Sequence, residues 1–186
     1  MNGALLRITG LLFALSALGA CASSKTMGAS LDDFSAAQTV RTKLFADRSH
    51  DYSDVDITLY EGRLMLTGTM RSEDGRKKLI ANAWKAENVR QVIDQIFVGD
   101  KTPRGQGFAD SRIDQAINAK LLTDRGVNSA DYHIAVSRGV VYVLGVARDE
   151  IALDRALNHA RSTSGVKQVV SHVIYKDDPQ RQAIRY

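Results

Sequence analysis

The sequence predicts an α+β fold built twice over, as two tandem αββαβ units with helices packed on one face of a three-stranded sheet. Three observations carry that prediction. The chain aligns with itself, without a gap, when shifted by 77 residues, so that residues 33–98 lie over residues 110–175 with 16 of 66 positions identical. Each copy opens with a four-residue apolar spacing and then changes to alternation. Each copy also places a glycine after a charged residue between two apolar runs, as a hairpin turn requires.

The elements follow in order. Ala36, Val40 and Leu44 form one helical stripe, matched by Ile113, Ile117 and Leu121. Val55, Ile57 and Leu59 alternate with Asp54, Asp56 and Thr58, so these acids read as the solvated side of a strand. Glu61-Gly62 and Arg138-Gly139 are the predicted turns into residues 63–68 and 141–145. A second helix is expected to run to about Ala86 in one copy and Thr163 in the other. Ser72 and Asp149 stand at its N-cap, with Glu73 and Glu150 in its first turn. Trp84, near its end, reads as core. The closing strands begin at Val89 and Val166, and both parities of the last strands are apolar. One face meets the helices, and the sister domain is expected to cover part of the other. A 66-residue unit buries only ~60% of its unfolded surface, so the pair gains from packing together.

The chain begins with one basic residue, Arg7, and about a dozen mostly apolar residues. That is the length of a signal-peptide h-region and short of the ~20 residues that span a membrane core. Leu18-Gly19-Ala20 directly precedes Cys21, the only cysteine, and the run resembles the lipobox of bacterial lipoproteins. The resemblance implies cleavage after residue 20, leaving residues 1–20 as signal and Cys21 as a lipidated N-terminus with acyl chains on sulfur and amine. A lone cysteine also excludes an intrachain disulfide. Ala22 follows where many inner-membrane lipoproteins carry aspartate, so the implied location is the outer membrane, facing the periplasm. Residues 21–32 read as a polar tether. Residues 99–109, with three glycines and a proline, read as the linker between domains, and the tail 176–186 as loose, with Ile184 and Tyr186 available to dock.

Setting Arg7 aside leaves 24 basic against 21 acidic residues, a net +3. The signs are evenly mixed, which argues against a nucleic-acid partner. His50, His133, His159 and His172 form no metal-type cluster, and no nucleophile elbow or phosphate loop occurs. His133 and His172 fall at strand positions matching Asp56 and Gln95, which reads as the solvent face of a sheet. Neither a cofactor nor catalysis is expected. A hydrolase using His133 or His172 is the weakest of three readings.

The hairpin pattern Gly62-x-Leu64-x-Leu66-x-Gly68, its twin Gly139-x-Val141-x-Val143-x-Gly145, and the closing Val89-x-x-Val92 and Gly165-Val166-x-x-Val169 resemble the BON domain. Gly68 and Gly145 suit a close approach of a helix to the strand, and Asn88 replaces the closing glycine in the first copy. Signal, lipobox and two such domains resemble dual-BON outer-membrane lipoproteins. That resemblance implies binding of anionic phospholipid and a part in envelope integrity, with the lipid-facing surface on the first helix of the second copy. There it points to Arg112, Lys120, Leu122 and Arg125. Asp110, Asp114 and Asp124 dilute that helix, and from Asp110 onward it has no aromatic residue. Arg76-Lys77-Lys78 is a rival basic patch that reads as a solvated helix face. The alternative function is a periplasmic adaptor that docks an envelope assembly or stress-response protein.

Overall fold

The computed structural model describes residues 38–46 and 49–185. The expected signal (1–20) and tether (21–32), with Cys21 and Ala36, lie outside the described residues. In chain order the elements are helix α1 (residues 38–45), β1 (Val55–Tyr60), β2 (Arg63–Met70), α2 (Glu73–Ala83), β3 (Gln91–Val98), α3 (Arg104–Thr123), β4 (Tyr132–Ser137), β5 (Val140–Ala147), α4 (Glu150–Arg161), β6 (Gln168–Tyr175) and α5 (Pro179–Arg185). A single 3-10 turn, Ser129–Asp131, precedes β4.

Local chemistry accounts for the repeated unit. Glu61 and Gly62 both take positive φ, 48° and 77°, as do Arg138 and Gly139, at 57° and 80°. Two consecutive residues in that region make the tight turn whose twist matches paired strands, and each hairpin closes in register, Tyr60 opposite Arg63 and Ser137 opposite Val140. Ser72 Oγ accepts the Gly75 N–H at 3.1 Å and Asp149 Oδ1 accepts the Ala152 N–H at 2.8 Å, so both expected caps form. The crossover through α2 or α4 then returns the chain parallel to the central strand, giving the orders β1-β2-β3 and β4-β5-β6.

Gly68 and Gly145 differ from their predicted use. What approaches them is a carbonyl of the neighbouring strand's entry, not a helix: a Cβ at Gly68 would lie 1.9 Å from the Asp54 oxygen, and one at Gly145 would lie 2.1 Å from the Asp131 oxygen. The two strands can cross that closely only where no side chain intervenes.

The helices cover one face of each sheet. Val40, Leu44, Leu64, Leu66 and Leu79 centre the first core, and Ile117, Leu121, Val141 and Val143 centre the second. The opposite faces meet each other. Met65 and Ile93 from one sheet pack with Ala135 and Leu144 from the other, flanked by Tyr60 and Tyr142. Every residue of β2 is buried because both its faces are covered. Sister-domain coverage, expected from the double-parity strands, holds at Ile93.

Three sequence expectations change. The linker 99–109 is shorter than predicted, since α3 starts at Arg104 and takes in Gly105 and Gly107. Residues 179–185 of the tail form α5: Arg181 forks onto Glu61 of the first domain with two contacts of 2.8 Å, and Arg90 Nη1 donates to the Ile184 carbonyl at 2.6 Å, while Tyr186 lies outside the described residues. Trp84 is not core but 53% exposed. It caps α2 beyond the last buried residue, Ala83, and its counterpart in the second copy is the exposed Arg161.

Candidate binding face on helix α3

Helix α3 is amphipathic in an uneven way. Its inner stripe, Ile113, Ile117 and Leu121, is buried in the second core. Its outer stripe runs Phe108, Arg112, Gln115, Ala119, Leu122, spaced so that all five share one face at 100° per residue. Phe108 is 68% exposed and Leu122 is 75% exposed. The Arg112 guanidinium lies 5.5 Å from the Phe108 ring centroid, within cation–π reach. Fourteen residues at 1.5 Å rise separate Phe108 from Leu122 by ~21 Å, so two apolar side chains bracket a cation along three to four turns.

Of the four residues singled out on this helix, the structure brings Arg112 and Leu122 onto this stripe. Arg125 is exposed just past the helix end. Lys120 goes elsewhere: its Nζ donates to Thr163 Oγ1 at 2.8 Å and reaches the His159 carbonyl at 3.5 Å, at the C-terminal end of α4. A cation suits the unpaired carbonyls there, which is a structural role.

The acids that dilute the helix in the sequence all turn from the outer stripe. Asp110 is buried and accepts the Arg138 and Gly139 N–H groups at 2.7 and 2.9 Å, bracing the second hairpin turn. Asp114 is half-buried, and burial pushes its carboxyl above the usual range. Asp124 binds His159 Nε2 at 2.8 Å and pairs with Arg155; the His159 hydrogen bond, with the Gly126 N–H, holds its carboxyl below the usual range. What remains on the outer stripe carries no acid: Phe108, Ala119 and Leu122 are apolar, Arg112 is basic and Gln115 is neutral.

Phe108 is not legible in the sequence because Gly105 and Gly107 disguise the first turn of α3 as linker. A Cβ added at either glycine would meet no atom within 4 Å, so the helix carries them in open solvent. The rival patch is partly spent. Arg76 pairs with Asp94 and Glu73, and Lys78 Nζ donates to Ser49 Oγ at 2.9 Å, leaving Lys77 exposed.

The histidines do not converge. His50 contacts Ser49. His159 serves Asp124. His133 and His172 flank Leu144 across the sheet on the face covered by the first domain, which corrects their reading as solvent-facing. The His133 ring lies 4.6 Å from that of Tyr60. Among the described residues no three His, Cys, Asp or Glu side chains are grouped to hold a metal ion. No helix among them is long and apolar enough to cross a membrane.

The pattern of paired hairpins, caps and crossover helices recurs in both halves, and the BON domain profile matches each, at residues 32–100 and 109–177. The chain belongs to the BON family. Among its BON relatives, a protein named for the gshII 5′ region of Anaplasma centrale is 33% identical over 132 residues, 70% of this chain and 87% of that protein. The 21 kDa hemolysin of Actinobacillus pleuropneumoniae is 28% identical over 155 residues, 81% of this chain and 78% of its own. The outer membrane lipoprotein DolP of Haemophilus influenzae is 28% identical over 123 residues, 66% of this chain and 63% of its own.

Proposed function

We propose that this BON protein is an outer-membrane lipoprotein, anchored through acyl chains on Cys21 and facing the periplasm, that binds anionic phospholipid and supports envelope integrity without catalysing a reaction. The observation that carries the binding reading is the outer stripe of α3, where exposed Phe108 and Leu122 bracket Arg112. The likeness to a named outer membrane lipoprotein supports the location.

The magnitudes suit a tethered contact. Burying an aromatic or leucine side chain at the acyl boundary contributes ~2 kcal/mol, and each cation near an anionic surface adds ~1 kcal/mol. The rigid-body entropy of docking consumes much of that total. An acyl anchor raises the local concentration of membrane to the millimolar range, so a weak face becomes effective.

Co-sedimentation of residues 22–186 with phosphatidylglycerol and with phosphatidylcholine vesicles tests this. The expected result is salt-sensitive binding to the anionic vesicles, reduced at least tenfold by Phe108→Ser with Arg112→Glu. Absence of binding to either vesicle sinks the lipid reading. The adaptor reading is then favoured by Trp84, a large exposed aromatic on the first domain, and it requires a pull-down partner lost with Trp84→Ala.

A further inference from the structure

Helices α2 and α4 hold matching places in the repeat, and each turns one stripe outward at matching positions. On α2 the stripe is Asp74, Lys77, Ala81 and Trp84, the last a C-cap residue that keeps helical φ and ψ of −65° and −20°. On α4 it is Ile151, Asp154, Asn158 and Arg161. All eight residues are exposed, and their 3-4-3 spacing is that of the seam positions of a coiled coil. Trp84 is 53% exposed and Ile151 is 69% exposed, each the one large apolar side chain its helix leaves in solvent.

Neither stripe is used up inside the molecule. The side chains of Asp74, Lys77 and Asp154 make no ion pair or hydrogen bond among the described residues, and Arg161 touches only Asn158 of its own stripe, at 3.4 Å. The flanking cations are occupied instead: Lys78 is held by Ser49 and Arg155 by Asp124.

The two stripes complement each other when laid antiparallel. Trp84 then meets Ile151, and at the other end Asp74 meets Arg161, an apolar layer and an opposite-charge layer. Between them Lys77 faces Asn158 with Asp154 in the adjacent layer, and Ala81 leaves room beside Asp154. A parallel arrangement instead sets Ile151 against the Asp74 carboxylate. Pairing α2 with α2 sets Trp84 against Asp74, and pairing α4 with α4 sets Ile151 against Arg161. Only the antiparallel α2–α4 match joins apolar to apolar and acid to base.

The match cannot form within one chain. The sheets dock back to back, so α2 and α4 cover opposite sides of the molecule. We propose that the α2 stripe of one copy docks antiparallel on the α4 stripe of a second copy. The two surfaces differ, so the contact is heterologous: each added copy leaves one α2 and one α4 free, and association runs on beyond a dimer. The contact needs neither the outer stripe of α3 nor the acyl anchor.

Sedimentation velocity of residues 22–186, which hold every described element, tests this in solution over a wide range of protein concentration. Wild type is expected to grow past the dimer as concentration rises. The emission of Trp84, the only tryptophan in the sequence, is expected to shift to the blue in step. Trp84→Ser and Ile151→Ser each remove one surface, so each alone is expected to associate at least tenfold more weakly. Mixed in equal amounts they are expected to form a one-to-one pair that grows no further, because each supplies the surface the other lacks. Asp74→Arg is expected to weaken association several-fold and Asp74→Arg with Arg161→Asp to restore it. Every substituted side chain is exposed, and circular dichroism confirms that each variant is folded. A wild type that stays monomeric, growth that stops at a dimer, association unchanged in Trp84→Ser, or a mixture that fails to pair overturns the proposal.

Discussion

Arg63, the first residue of β2 in one domain, donates from Nη2 to the carbonyl of His172 in the other at 2.6 Å. Its Nη1 reaches the Gly145 carbonyl at 3.2 Å and its Nε donates to Gln91 Oε1 at 2.8 Å. At 3% exposure this is a buried guanidinium whose donors face two carbonyls of the second sheet and one amide of its own. The second copy has Val140 at the matching position, so the latch runs one way only.

Replacing Arg63 by methionine keeps the bulk and removes every donor. Two buried carbonyls lose a partner, at a cost of about 2 kcal/mol. Urea unfolding is expected to lose that stability and to separate into two transitions as the domains uncouple. A single transition with unchanged midpoint means that the apolar contact around Met65 and Leu144 suffices.

His172 makes the same interface sensitive to pH. Its Nε2 is buried without a hydrogen-bond partner among the described residues, and burial first, then the Arg63 charge, hold the ring below the ordinary value of 6.5. In the folded protein it stays neutral where the unfolded chain already binds a proton. The unfolded state therefore binds more protons between the depressed value and 6.5, and stability is complete above 6.5 and lost as pH falls through that window. Asp114, raised from 3.8, acts in the opposite sense in the carboxylate range. Melting temperatures recorded from about pH 7.5 down to about pH 5 are expected to fall in wild type and to fall less in His172→Gln; parallel slopes assign the effect to another group.

Lys120 and Arg112 separate structure from binding on one helix. Lys120→Ala removes the contact at the end of α4 and is expected to cost about 1 kcal/mol by denaturant titration, with vesicle binding within twofold of wild type. Arg112→Ala is expected to do the reverse. Equal loss of vesicle binding in both would return Lys120 to the lipid-facing set.

Two glycines in this chain respond oppositely to alanine. Gly68→Ala drives a Cβ into the Asp54 carbonyl and is expected to cost about 3 kcal/mol, the upper end for an overpacked site. Gly107→Ala meets nothing within 4 Å and sits inside α3, so it is expected to stabilise by ~0.5–1 kcal/mol. Circular-dichroism melts of the two variants suffice to check the pair.

The repeat, the hairpins, the caps and the family are legible in the sequence because each rests on residues within a few positions of one another. Gly62 follows Glu61, Ser72 precedes Glu73, and both patterns occur twice at the same spacing. Boundaries are harder. Gly105 and Gly107 hide the first turn of α3, and with it Phe108, because glycine in an exposed helix carries no apolar period to read. Trp84 reads as core from its size, although Arg161 at the matching position marks that site as exposed.

The sequence by itself determined two αββαβ units, their order, and which face of each sheet meets its helices, since helix and strand periodicity are local properties of the chain. Only the tertiary structure decided what lies on the other face. Back-to-back docking turned His133 and His172 inward, gave Arg63 its distant carbonyls and closed the tail onto Glu61 through Arg181. It also sorted the charges of α3, drawing Asp110, Asp114, Lys120 and Asp124 into contacts or a cleft and leaving Phe108, Arg112 and Leu122 outside. Those outcomes depend on partners 28 to 120 residues away, and no periodicity along the chain encodes which distant surface a side chain will meet.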